Sequence, residues 1–252
     1  MVGLRIMSKE IRLGVNIDHI AFIKKSRGVS YPNLVEAVKI CEDAKADLIT
    51  IHLREDRRHI QDKDVIEIRN NAKTLNLEMA HTTEMIDIAI KTKPNFCCIV
   101  PEKRNEVTTE EGLNLSSIKT NDLQRLKDTI SKFSDHEIKT SLFINPDKKQ
   151  IELAKQVGAQ LVELHTGFYA NSITPDERAD ALNRLEKASI FACENDLLVN
   201  AGHGLNYDNV KPICKIININ ELNIGHSIVA RSVFVGLKDA IHQMISIIRS
   251  CD

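Results

Sequence analysis

A single-domain TIM (β/α)8 barrel spanning 1–252 is what three features of this sequence predict together. The chain has 252 residues, a common size for such a barrel. Short β-branched or apolar runs alternate with longer amphipathic segments eight times over, and alternation at crossover-length spacing calls for a parallel sheet. No Ser/Gly/Pro-rich linker divides the chain. An open doubly wound sheet is the alternative that the same alternation allows.

The strands can be justified in order, because alternate residues of a barrel strand face its interior. The first, IRLGVNID (11–18), sends Leu13, Val15 and Ile17 toward the helices and Gly14, Asn16 and Asp18 inward. The second, DLITIHL (47–53), sends Ile49, Ile51 and Leu53 outward and leaves Thr50, His52 and, just beyond, Arg54 inside. LNLEMA (75–80) puts Asn76 and Glu78 inside, while FCCIVP (96–101) and KTSLFI (139–144) are largely apolar. QLVELHT (160–166) turns Glu163 and His165 inward, LLVNAGH (197–203) offers Asn200, and ELNIGHS (221–227) offers Asn223 and Gly225. Amphipathic stretches at 31–44, 82–92, 117–133, 146–159, 174–195 and 228–250 mark the helices between and after them.

Composition narrows the function classes. With 34 Lys+Arg against 35 Asp+Glu the net charge is -1, so no bulk field favours nucleic acid or an anionic membrane, and anion binding must be local. The six cysteines include no CxxC and read as reduced thiols serving as small core residues. The opening MVGLRIMSKEIRLGV, in which Met7 is an alternative start, lacks the apolar core of a secretory signal. No run of about 18 apolar residues occurs, so a cytoplasmic protein is expected.

The inward positions are polar toward the C-terminal strand ends, where barrels of this kind build active sites. An unpaired buried polar group costs a few kcal/mol, so such an interior is costly for a scaffold alone. Of nine histidines, seven (His19, His52, His59, His81, His165, His203 and His226) fall at or just past a predicted strand end. NAGHGLNYDN (200–209) and NIGHSIVARS (223–232) place glycines ahead of helices, the makings of a phosphate cradle. Arg27, Arg54, Arg57 and Arg58 are candidates for a second anion, although Arg57 and Arg58 also suit a solvated surface.

Glu78, flanked by Leu77 and Met79, should have a raised pKa if it lacks a cationic partner, and Glu163 and His165 could form a carboxylate–imidazole pair. No Lys faces the interior, which argues against an enzyme-amine Schiff base. NIDH carries one histidine where a metal hydrolase needs a close-set pair. The residues alone still leave open another sugar-phosphate barrel enzyme, or a binding barrel without turnover.

The motifs GVNIDHIA (14–21), ITIHLREDRRHI (49–60), NLEMA (76–80), FCCIVPEKRNEVTTEEGL (96–113), ELHTGFYA (163–170), NAGHGL (200–205) and ELNIGHSIVAR (221–231) resemble the pyridoxine 5′-phosphate synthase family in the same order. The resemblance implies condensation of 1-deoxy-D-xylulose 5-phosphate with 3-amino-2-oxopropyl phosphate, without metal or organic cofactor. By motif position His52 and Glu78 match proton acceptors, His203 a proton donor and Glu163 a transition-state stabiliser. Asp18, His19, Arg54, His59 and Thr108 match positions that hold the deoxyxylulose phosphate. Asn16, Arg27, Gly204, Gly225 and His226 match those that hold the amino ketone phosphate. It also implies dimers assembled into a homo-octamer.

Three departures stand out: a longer N-terminus, His81 where a small apolar residue is common, and Phe168 where Cys is common. His81 is expected near Glu78, with an effect on its titration. The polar stretch 101–115 reads as a lid that brings Thr108 over bound phosphate.

Overall fold

Eight strands pair in parallel and in chain order, and the first also pairs with the last, which closes the barrel. The computed structural model describes residues 10–102 and 111–251. The strands are β1 (Arg12–Asn16), β2 (Leu48–His52), β3 (Leu75–Met79), β4 (Phe96–Ile99), β5 (Lys139–Ile144), β6 (Leu161–His165), β7 (Leu198–Gly202) and β8 (Ile219–Ile224). The predicted eight strands are therefore present; most ends move by one or two residues because they fray into the loops that carry the site.

The outward residues, among them Val15, Ile51, Leu77 and Leu164, are buried in one continuous core with the surrounding helices. The helices of the outer ring and loops are α1 (Asp18–Arg27), α2 (Leu34–Asp43), α3 (Asp62–Asn71), α4 (Thr83–Thr92), α5 (Thr120–Asp135), α6 (Lys148–Gln156), α7 (Gly167–Ala170), α8 (Pro175–Glu194), α9 (Val210–Cys214), α10 (His226–Val235) and α11 (Leu237–Arg249). Side-chain caps begin several of them: Asn33 for α2, Thr82 for α4, Asp147 for α6 and Thr174 for α8.

Sequence periodicity missed α1 and α3. In α3 the apolar face amounts to Val65 and Ile68, too short a stripe for a periodicity signal, and a Gln61/Asp64 capping box starts the helix instead. The last predicted helix is two, broken at Gly236, whose φ of 83° ends α10. Cys41, Cys97, Cys98 and Cys214 are buried as expected, whereas Cys193 is exposed and Cys251 only half-buried.

Inside the barrel the predicted phase holds. Thr50 Oγ1 lies 2.8 Å from Asn223 Oδ1 and 3.5 Å from Asn76 Nδ2, across the barrel floor. Gly14 leaves the room for this: a Cβ there would fall 2.1 Å from Asn223 Oδ1. A small apolar cluster of Cys98, Val100 and Phe143 fills the β4–β5 side of the interior. The barrel is thus polar on two sides and greasy on the third.

Candidate active site

A cavity of about 520 Å³ opens at the C-terminal ends of the strands. Of the residues singled out above, Asn16, Asp18, His19, His52, Arg54, His59, Glu78, Glu163, His203, Gly204, Gly225 and His226 line it. Arg27 does not, since it lies exposed in the last turn of α1. Thr108 lies outside the described residues, as does most of the stretch read as a lid. Five of the seven rim histidines reach the cavity.

On the β1–β3 side, backbone and carboxylates lock together. Asp18 Oδ1 accepts from the His52 backbone N–H at 2.9 Å, and its Oδ2 accepts from Asn16 Nδ2 at 2.9 Å. Burial pushes the Asp18 carboxyl up to about 6, against the pull of His52. His52 Nε2 sits 2.9 Å from Glu102 Oε1, a partner that sequence reading missed because Glu102 lies in a loop where no periodicity points inward. Glu102 is held below the usual carboxylate range by that hydrogen bond despite its own desolvation.

His59 accepts from the Ile60 N–H through Nδ1, which leaves Nε2 as its donor, and its ring packs 4.8 Å from Phe22. Desolvation, then the neighbouring His52 and Arg54, bring His59 down to about 3. It is therefore a neutral hydrogen-bond donor at working pH. Burial and His226 likewise lower His19. Glu78 is half-buried by area at the cavity floor. Desolvation, then the charges of Glu163 and Asp18, push its carboxyl well above the ordinary range.

The arginines separate cleanly. Arg54 is 3% exposed and lines the cavity. Arg57 is committed outside it to Asp62 and Glu84, and Arg58 to Asp56. His81 corrects an expectation: its Nε2 pairs with Thr129 of α5 at 3.0 Å, and Arg125 and Asp122 are the charges that act on it. It faces the helix layer, and the charges that act on Glu78 are those of Glu163 and Asp18.

On the β6–β8 side glycines do the shaping. Gly202 leaves space for Glu163, whose Oε1 would lie 2.4 Å from a Cβ there, and Glu163 Oε2 accepts from Asn223 Nδ2 at 2.9 Å. The considered Glu163–His165 pair does not form. His165 packs instead on His203, Phe143 and Phe168 at 5.0, 5.2 and 6.1 Å. Burial and His203 lower its pKa to about 4. His203 itself has a φ of 84°, a strained value for a residue with a Cβ. Thr166 Oγ1 bridges the carbonyls of Gly202 and His203 and helps hold that turn.

Gly225 stands against Asn16, whose Cβ would be 2.8 Å from a Cβ at 225, so the chain enters α10 pressed against β1. The first residues of α10, His226 and Ser227, line the cavity, as do Gly204 to Asn206. A helix start and a glycine turn facing one space suit an anion. The only close trio of potential cation ligands among the described residues is Asp18, His52 and Glu78, with donor atoms within 4.8 Å of one another. Both Asp18 oxygens there already accept hydrogen bonds.

The model of the family described as pyridoxal phosphate biosynthesis protein PdxJ matches residues 13–250. The pyridoxine 5′-phosphate synthase of Idiomarina loihiensis is 52% identical over 241 residues, covering 95% of this chain and 98% of that protein. Among solved structures, a tryptophan synthase α-subunit mutant from Pyrococcus furiosus superposes with a TM-score of 0.59 at 10% identity, covering 96% of this chain and 97% of its own. A monomeric phosphoribosylanthranilate isomerase from Thermotoga maritima does so with a TM-score of 0.55 at 12% identity, covering 95% and 99%. These two likenesses show the barrel and nothing finer.

Proposed function

The chain belongs to the family of pyridoxal phosphate biosynthesis protein PdxJ, and from that premise we propose how its barrel mouth closes a pyridine ring. Its activity is pyridoxine 5′-phosphate synthesis: 1-deoxy-D-xylulose 5-phosphate condenses with 3-amino-2-oxopropyl phosphate, and phosphate and water leave. The observation that carries the residue assignment is one cavity shared by Asp18, His52 and Glu78 on one side and Glu163 and His203 on the other.

The substrate amine attacks the sugar ketone, so the Schiff base forms between substrates and needs no enzyme lysine. Dehydration, phosphate loss and an aldol-type closure then call for repeated proton transfers. His52 and Glu78 take protons, His203 donates one, and Glu163 in its protonated form donates a hydrogen bond to oxygen that gains charge. Burial and the neighbouring carboxylates raise the proton affinity of Glu78, which strengthens it as a proton acceptor. Asp18, His19, Arg54, His59 and Thr108 hold the deoxyxylulose phosphate, with Arg54 as the charged clamp. Asn16, Gly204, Gly225 and His226 hold the amino ketone phosphate at the start of α10, and Arg27 joins them on the family resemblance.

Self-association of dimers into a homo-octamer fits the family and the exposed apolar side chains Val233 and Phe234 at the end of α10, 72% and 83% accessible. Sedimentation tests that. A cytoplasmic location fits the absence of any described helix long and apolar enough to span a membrane. The reaction itself is tested by mixing the purified protein with both substrates in EDTA. Pyridoxine 5′-phosphate and one phosphate per product are expected, and no product under those conditions would remove the cofactor-free mechanism.

A further inference from the structure

Beneath Glu163 lies a second buried carboxylate that the reaction scheme does not use. Glu221 of β8 is 3% exposed and shares the barrel's inner face with Asn223, two residues on. The Asn223 amide is oriented by Thr50, whose Oγ1 donates to Oδ1 at 2.8 Å. Its two N–H bonds are thereby both committed to carboxylates: Glu163 Oε2 at 2.9 Å and Glu221 Oε1 at 3.3 Å. Asn200 Nδ2 also donates to Glu221 Oε1 at 2.9 Å, and Arg12, the first residue of β1, approaches its Oε2 at 3.6 Å.

We propose that Glu221 is a positioning residue for the reaction: through the shared Asn223 amide it fixes the rotamer of Glu163 and sets the pH at which Glu163 releases its proton. Asn223 and the Cys98 thiol, 4.0 Å away, both donate to Glu163 Oε2. That leaves Oε1, the oxygen beside Gly202, to carry the acid proton. Titratable groups face Glu163 from three strands: the carboxyls of Glu78 from β3 and Glu221 from β8, and the un-ionised Cys98 thiol from β4. β7 brings the neutral Asn200 and Gly202, and β5 brings Phe143. Glu221 itself feels Arg12, which favours its charge, and Asp47, which opposes it. Arg12 thus stabilises a negative charge on Glu221, and that charge resists a second one on Glu163. Glu163 stands at about 8 and Glu221 at about 7, for desolvation first and then these neighbours.

The inference rests on the part assigned above to Glu163, and its test separates the two. In Glu221→Gln, with fold and oligomer intact, the high-pH limb of kcat should move about one to two pH units toward acid. KM for both substrates should stay put, and Glu221→Asp should bring the limb most of the way back. A folded Glu221→Gln protein with the wild-type profile overturns the proposal. If that variant does not fold, the carboxylic-acid carbonyl bands in infrared spectra of wild type and Glu163→Gln decide, because Glu221 ionises first and its charge then acts on the still-protonated Glu163. The band that Glu163→Gln lacks must change frequency in wild type as Glu221 ionises, and a Glu163 band that stays put through that step refutes the coupling. Full turnover in Glu163→Gln would remove Glu163 from the reaction while the infrared titration still judged its link to Glu221.

Discussion

On the β1–β3 side of the mouth, Asp18, His52, Arg54, His59 and Glu78 reach the cavity as long or charged side chains, with Asp18 accepting from the His52 backbone N–H and His59 3.9 Å from Asp18. On the β6–β8 side the cavity wall is largely backbone, with Gly204 and Gly225 among its lining, His203 in a strained turn, and Glu163 rising past Gly202 from below. The two sides meet different demands. A phosphate held by a buried arginine is gripped through charge, whereas a phosphate at a glycine turn and helix start is gripped through N–H dipoles that no substitution can recharge. The proposed acid and base groups are divided between the sides as well, His52 and Glu78 lining the first and Glu163 and His203 the second.

The sharpest way to break this comparison is at His52. It sits on the charged side with its backbone N–H on Asp18 and its ring on Glu102, so its position survives a change of side chain. His52→Asn should lower kcat by about 10²–10⁴, the usual cost of losing a general acid or base. Near-normal turnover would mean that the imidazole only orients its neighbours.

A smaller contrast is expected in binding. Arg54→Ala should raise KM for the deoxyxylulose phosphate by about 10–100-fold, since a hydrogen bond to a charged group is worth about 1.5–3 kcal/mol. It should leave KM for the amino ketone phosphate nearly unchanged. Gly225→Ala should do the reverse, by about tenfold, because the new methyl pushes on Asn16 at 2.8 Å and moves the start of α10; overpacking costs about 1–3 kcal/mol. If both variants weaken both substrates equally, the mouth is one site and the division between its sides is wrong. Steady-state kinetics with each substrate varied in turn decides.

How much of this was legible in the sequence follows the same division. The barrel was readable because period-two alternation and eight repeats survive any error in a strand end, and the inner faces of β1, β2 and β3 came out as read. The glycine side was readable as a pattern, GHG and NIGH, but not as geometry: which oxygen of Glu163 lies beside Gly202 depends on a rotamer. His165 was paired with Glu163 by spacing, and packing sent it to His203 instead. Glu221 was visible in principle, two residues before the inward Asn223. Glu102 was not, because loops carry no period. Arg54 was legible as inward from the phase of β2, whereas Arg27 had no strand phase to place it, and it lies exposed at the end of α1.

The smallest effect is on stability, and it asks whether the charged side costs the fold anything. Glu78 is forced above its ordinary value of 4.5 chiefly by desolvation. The folded protein therefore keeps a proton that the unfolded chain has released once the pH exceeds that value. Where the folded state binds more protons, stability falls as pH rises. The loss begins near the unfolded carboxylate value and continues through the raised one. Glu78→Gln removes the titration while keeping the shape, so its Tm should match wild type near pH 4 and exceed it by a few degrees at pH 7. Each kcal/mol is worth about 2–4 °C in a domain approaching this size. The same variant should turn over poorly, the usual trade between a strained site and a stable one. Thermal melts of both proteins from pH 4 to pH 8 supply the check. A difference in Tm that stays flat with pH, or a variant less stable at pH 7, would show that Glu78 is held by partners rather than penalised by burial, and the charged side of the mouth would then be part of what holds the barrel together.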